Sequence, residues 1–232
     1  MVPTMYTLAL LNGGVGSRVA AGQPKQLIRV NHIPAMVYPL VAVDEIDEIT
    51  QIVLNYPDGW RDAIEKVVRD YAIKTPITFV EAGDTRHSSV RVMLDHCDND
   101  HVIIHETARP LATADDFRTL VDDEHENVSY MLEIPFTVAP VDPEQGKVTG
   151  SLDRATLRNV QLPQKYRKST LVEGHAHAEA EGLVFTEDAT MCAVAGADVY
   201  FIPGNDQNFK ITTKTDVRLA GHLLAGGDQE DE

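Results

Sequence analysis

A chain of 232 residues with 43% hydrophobic and 24% charged content can bury a sizeable core, as one large domain or two small ones. Its formal net charge of −16 repels nucleic acid and anionic lipid, so neither is an expected partner. No apolar run approaches the length of a membrane span, and Cys97 and Cys192 are the sole cysteines, the usage of reduced thiols in a cytoplasmic protein.

The N-terminal stretch "MVPTMYTLAL" has no basic region and runs directly into an apolar segment, so no export signal is expected. Strands are expected at "YTLALL" (6–11), "ITQIVLNY" (49–56), "PITFVEA" (76–82), "HVIIH" (101–105), "VSYMLEI" (128–134) and "ADVYFIPG" (197–204). Between them "GWRDAIEKVVRDYA", "RHSSVRVMLDHC" and "ADDFRTLVDDEH" carry apolar residues at helical spacing. Alternation of this kind predicts an α/β fold: a Rossmann-like, doubly wound, mostly parallel sheet whose ligands gather at the carboxyl ends of the strands. Residues 134–157, with their prolines and a "DPEQGK" turn, break the pattern and read as an extended arm, suited to reaching a second copy of the chain. Near the C-terminus Asp216 is expected to help start the last helix. With no linker or repeat in sight, residues 1–226 read as one domain and 227–232 as an acidic, disordered tail.

Directly after the first expected strand comes "NGGVGSRVAAGQPKQ". Bare backbone at Gly13, Gly14 and Gly16 lets a ligand approach the amides, and the nearby Arg18 and Lys25 suit an anion such as a triphosphate. A dinucleotide fingerprint needs a third glycine where Val19 stands, and a P-loop needs Gly-Lys-Ser/Thr, which is missing. A glycine turn without any ligand is the bland alternative. His175 and His177 are two residues apart and would point about 200° apart on a helix, so they make a poor metal pair. His105 reads as a packing histidine at a strand end.

The loop resembles the opening "AGG-x-G-x-R … PKQ" motif of the cytidylyltransferases that build CDP-alditols, the methylerythritol-phosphate and ribitol-phosphate enzymes, which share a nucleotide-diphospho-sugar transferase type of fold. Five further segments are similar in the same order: "AGDTRHSSV" to "GG-x-x-R-x-x-SV", "IIHETARPLAT" to "VHDAARPF", "LDRATLRNVQLPQKYR" to "R-x-x-L-x-x-x-QTPQ-x-F", "TEDAT" to "TDDAS", and "NFKITTKTDVRLA" to "NIKITTP-x-DL". The resemblance implies transfer of CMP from CTP to an alditol phosphate with release of pyrophosphate. It assigns Arg18 and Lys25 to catalysis, Asn12, Gly13, Gly14, Gly83, Asp84 and Ser89 to the nucleotide, and Arg109, Thr137, Arg154, Lys210 and Thr212 to the acceptor. It makes Glu106 a ligand of Mg²⁺ and the chain a homodimer in which the arm enters the partner's site.

Departures are visible too. Glu106 stands where the family usually has aspartate, Thr107 where alanine or serine is common, and Asn12 where alanine is common. The resemblance implies as acceptor 2-C-methyl-D-erythritol 4-phosphate, in isoprenoid precursor synthesis, or alternatively ribitol 5-phosphate, in cell-wall polymer synthesis. More distant alternatives are an NAD(P)-dependent reductase and an inactive nucleotide-binding relative.

Overall fold

The computed structural model describes residues 3–14 and 24–226. Arg18 and the tail at 227–232 lie outside the described residues. In chain order the elements are β1 (Tyr6–Leu11), β2 (Arg29–Val30), β3 (Ile33–Pro34), α1 (Val37–Val43), β4 (Ile49–Tyr56), α2 (Arg61–Asp70), β5 (Ile77–Glu81), α3 (Arg86–Leu94), β6 (His101–Glu106) and α4 (Ala114–Asp122). They continue as β7 (Val128–Glu133), β8 (Val141–Asp142), β9 (Lys147–Val148), β10 (Arg158–Arg167), α5 (Lys168–Ala180), α6 (Asp188–Val194), β11 (Tyr200–Pro203) and α7 (Lys214–Leu224).

Seven strands form one sheet in the order β11-β7-β10-β6-β1-β4-β5. β10 alone runs antiparallel to its neighbours β6 and β7; the other pairings are parallel. The sheet is doubly wound because the central strands are apolar on both faces. Tyr6, Leu8 and Leu10 of β1 join Ile52 and Leu54 of β4 against Leu40 of α1, Ile64 of α2 and Phe117 of α4. Ala9, Val53, Val102 and Ile104 turn the other way, against Val90 and Met93 of α3, Leu171 of α5 and Met191 of α6. Three helices begin with a threonine that caps the amide three residues on: Thr85 with Ser88, Thr113 with Asp116, and Thr213 with Asp216. Asp216 thus helps start α7 from inside its first turn, with Thr213 as the cap.

The expected strands all form, with ends shifted by a few residues at most. β10 was not expected, because Pro163 interrupts it and proline is a poor member of a central strand. The pairing with β7 jumps from Gln161 to Gln164, so the proline sits in the irregularity and its missing N–H costs no ladder bond. α1, apolar nearly throughout and carrying Pro39, and the short α6 also lacked an amphipathic signature. The arm holds the short β8–β9 hairpin and a 3-10 turn at Arg154–Thr156. His105 packs edge-on against Phe117, buried in the core. Burial lowers its pKa to about 4, so it is neutral near pH 7, and its Nε2–H donates to the Arg109 carbonyl at 3.2 Å. On α5, His175 is buried while His177 is only partly covered, consistent with side chains on different faces.

β10 carries buried polar residues with a structural purpose. Gln161 donates from Nε2 to the carbonyls of Asn205 and Asn208, both at 2.9 Å, and Asn208 donates back to the Leu162 carbonyl at 2.7 Å. These bonds fix the loop at 204–212 against the sheet, and that loop carries Lys210.

Candidate active site

The carboxyl ends of β1, β4, β5 and β6 open into a cleft of about 280 Å³. Its walls include Gly13 and Gly14 after β1, Asn55 in β4, Gly83, Asp84 and Ser89 around the start of α3, Glu106 at the end of β6, and Lys25 and Lys210 from the two flanking loops. Three lining side chains are cations (Lys25, Arg86, Lys210) against two carboxylates (Asp84, Glu106). In a chain of net charge −16, that local excess makes the cleft a place where an anion can settle.

The glycines are there for close approach. A Cβ on Gly13 would lie 2.5 Å from the Ala82 Cβ, and one on Gly83 would lie 2.5 Å from the Ser88 Oγ and 3.0 Å from its carbonyl carbon. Gly13 therefore lies directly against the Ala82 methyl and the Asn55 amide, and Gly83 against Ser88 at the start of α3. Asn12 lies beneath the turn instead of on the cleft wall: its N–H donates to Asn55 Oδ1, its carbonyl accepts from Gln26 Nε2, and the residue is fully buried. Asn12 thus joins Asn55 to Gln26 behind the cleft wall. Ser89 Oγ donates to the Gly83 carbonyl at 3.3 Å, tying the turn that carries Asp84 to the first turn of α3.

Arg86 is a lining residue to which no role was assigned. Its Nη2 meets Asp188 Oδ2 at 2.6 Å, and Asp188 is almost wholly buried on α6. Burial works against the Arg86 charge, but Asp188 and then Glu187 outweigh it and raise its pKa above the ordinary arginine value. The signal was in plain view: Arg86 is the arginine of "DTRHSSV" and Asp188 the second acid of "TEDAT". Gln26 and Asn55 offered no comparable cue, being single amides in a loop and a strand.

On the opposite wall Glu106 is buried between two cations. Arg109 Nε donates to Oε1 at 2.9 Å, and Lys210 Nζ donates to Oε2. Burial would push the Glu106 carboxyl up, yet Lys210 and then Arg109 outweigh it and hold the pKa below the ordinary value. Arg109 also donates from Nη1 to the Asn208 carbonyl at 2.7 Å, and the Ile211 amide donates to the Ala108 carbonyl at 2.7 Å. The loop after β6 and the loop before α7 are thus stitched together with Glu106 at the seam.

Not every expected residue reaches the cleft. Thr212 donates from both its amide and its hydroxyl to Asp216 Oδ2, at 2.7 and 2.9 Å. Thr137 and Arg154 are exposed on the arm, and Arg154 Nη1 donates to the Pro135 carbonyl at 2.9 Å. Neither lines the cleft of its own chain.

No group of three or more histidine, cysteine or acidic residues suited to a metal occurs among the described residues. The donor set instead offers Glu106 as a hard oxygen, with Asp84 in the same cleft. Mg²⁺ commonly binds through one or two carboxylates plus the phosphates of its substrate. The residues fit a cation that arrives with a triphosphate.

The family model described as "IspD: 2-C-methyl-D-erythritol 4-phosphate cytidylyltransferase" matches residues 7–225. A 2-C-methyl-D-erythritol 4-phosphate cytidylyltransferase of Bacillus cereus is 28% identical, over 95% of this chain and 98% of that protein. A ribitol-5-phosphate cytidylyltransferase of Lacticaseibacillus paracasei is 30% identical, over 93% and 96% of the two chains. The 4-diphosphocytidyl-2C-methyl-D-erythritol synthase structure from Anaerococcus prevotii superposes with a TM-score of 0.82 at 22% identity, covering 96% of each chain. Among the described residues no helix is long and apolar enough to cross a membrane.

Proposed function

Because the chain belongs to the 2-C-methyl-D-erythritol 4-phosphate cytidylyltransferase family, we propose that it transfers CMP from CTP to 2-C-methyl-D-erythritol 4-phosphate in the cytoplasm, releasing pyrophosphate. The observation that carries this reading is a single cleft lined by the glycine turn, Lys25, Lys210 and Glu106. In the reaction a phosphate-monoester oxygen of the acceptor attacks the α-phosphorus of CTP in line. The second pKa of such a monoester is about 6, so the nucleophile is already largely dianionic near neutrality and needs no general base. No histidine lines the cleft among the described residues, in keeping with that chemistry.

The protein's work is electrostatic and positional. Gly13 and Gly14 bring backbone close to the nucleotide, while Gly83, Asp84 and Ser89 stand where the base would lie. Lys25 faces the triphosphate and offsets the charge that grows on the phosphoryl oxygens as pyrophosphate leaves, a role that the resemblance also gives to Arg18. Lys210 meets the acceptor phosphate from the other side, with Arg109 behind it. A bound divalent cation, with Glu106 as its protein ligand, supplies further neutralisation of the phosphate oxygens.

The arm completes the proposal. Phe136, Val141, Val148 and Leu152 are exposed on it, and Tyr200 and Phe201 are exposed on the neighbouring edge strand β11. Apolar surface collected in this way marks an interaction site. The arm of one protomer covers a second copy, so that Thr137 and Arg154 serve the partner's cleft.

Ribitol 5-phosphate is the second reading, favoured by the 30% identity to a ribitol-5-phosphate cytidylyltransferase. A pyrophosphate-release assay with CTP and methylerythritol, ribitol, erythritol and glycerol phosphates separates the two. The expected result is a kcat/KM for the methylerythritol substrate at least about tenfold above the others, a difference within reach of a few polar contacts. The same preference for ribitol 5-phosphate moves the assignment to that acceptor, and no release with any of them rejects the reading.

A further inference from the structure

Glu106 occupies the position that an anionic ligand would be expected to take. Its carboxylate sits between the Arg109 guanidinium and the Lys210 ammonium, one oxygen to each. On the proposed reading Lys210 must hold the phosphate of the acceptor, a dianion that competes with Glu106 for the same ammonium. The two sides of the cluster are built differently. The Arg109 side chain is 15% exposed and anchored to the Asn208 carbonyl, whereas the Lys210 side chain is 39% exposed. Lys210 can therefore swing toward a ligand while Arg109 remains to compensate the buried carboxylate, so the move strands no unpaired buried charge.

We propose that Glu106 is an internal stand-in for the acceptor phosphate: it holds Lys210 in the empty enzyme and yields it once the nucleotide is bound. This rests on the reading of the cleft as the site of CMP transfer to an alditol phosphate. Glu106 shares its cleft with Lys25 and the glycine turn, so the divalent cation that accompanies a triphosphate competes with Lys210 for its carboxylate. The device keeps the acceptor's phosphate, or any free phosphate, from settling on Lys210 before CTP is in place. It also makes an unusual demand. Charge repulsion alone predicts that a bound triphosphate weakens binding of a second anion nearby, whereas the stand-in predicts that it strengthens it.

The test is a calorimetric titration of the intact protein with 2-C-methyl-D-erythritol 4-phosphate and, in parallel, ribitol 5-phosphate. It is run with and without Mg²⁺ and a CTP analogue carrying a methylene group between the α and β phosphorus atoms. In the wild type the acceptor is expected to bind at least about tenfold tighter when the analogue and Mg²⁺ are present. Glu106→Gln is expected to bind it at least about tenfold tighter than wild type with no nucleotide, and to lose the coupling. Asp206→Asn, which removes an equal charge from the exposed side of the loop that carries Lys210 but not from Lys210 itself, is expected to stay within about twofold of wild type.

Equal wild-type affinity with and without the analogue overturns the proposal, and that titration requires no variant to fold. So does a Glu106→Gln protein no tighter than wild type, or an Asp206→Asn protein that gains as much. Lys210→Ala tests the underlying reading separately. Its acceptor binding in the analogue complex is expected to fall, and an unchanged affinity would show that Lys210 does not hold the acceptor.

Discussion

Replacing Lys25 by alanine is expected to lower turnover about a thousandfold, while the melting temperature shifts by no more than a few degrees. Lys25 lines the cleft beside the glycine turn and, on the proposed mechanism, faces oxygens whose charge grows as pyrophosphate departs. An interaction made more strongly in the transition state than in the ground state is read in kcat and kcat/KM together. Lys25→Arg keeps the charge but changes its geometry, so an intermediate loss is expected there. Near-wild-type turnover in Lys25→Ala would remove the residue from the mechanism. The same variant also tests the arm. Lys25→Ala chains mixed with Arg154→Ala chains recover about a quarter of wild-type activity if protomers exchange freely and each arm serves its partner's cleft. No recovery would confine the arm to its own chain.

The second large effect concerns Arg86. Removing it leaves the Asp188 carboxylate, 2% exposed, without the guanidinium that meets it at 2.6 Å. Breaking a buried pair from one side costs about 3–5 kcal/mol, and the 23% exposure of the Arg86 side chain argues for the lower end, near 3 kcal/mol. For a chain of this length such a loss corresponds to a melting temperature lower by about 6–12 °C. Because Arg86 is itself a cation on the cleft wall, nucleotide affinity falls as well. The paired replacement Arg86→Met with Asp188→Leu, apolar at both positions, is expected to regain most of the stability but not the nucleotide affinity. An unchanged melting temperature in Arg86→Ala would mean that the pair contributes nothing to holding α3 and α6 together.

These two residues also show where sequence reading reached and where it stopped. The parallel strands were legible because a strand covered on both faces must be apolar at nearly every position, as in "YTLALL" and "ITQIVLNY". β10 was not, because its proline argued against a central strand and its buried amides look like surface residues until their partners are known. The glycines pointed to the cleft by local pattern, and the "GDTRHSSV" segment by its resemblance. The contacts that complete the site are not local. Glu106 and Lys210 are 104 residues apart, Arg86 and Asp188 are 102 apart, and the Lys210 loop is positioned by Gln161 of the unexpected strand. Each side chain could be nominated from its motif, but the ion pairs that join them emerge only once the strand order is known. The burial of Asn12 has the same origin: its position is set by Asn55 on the neighbouring strand.

The measurement closest to the central claim is phosphorus NMR of the wild-type protein with CTP, Mg²⁺ and 2-C-methyl-D-erythritol 4-phosphate. The account predicts that the acceptor's monoester resonance is replaced by the coupled pair of a diphosphate diester, with one pyrophosphate for each product and none when the acceptor is left out. Release of pyrophosphate with the monoester resonance untouched, CTP going to CMP, would show that the cleft does not join the two phosphates.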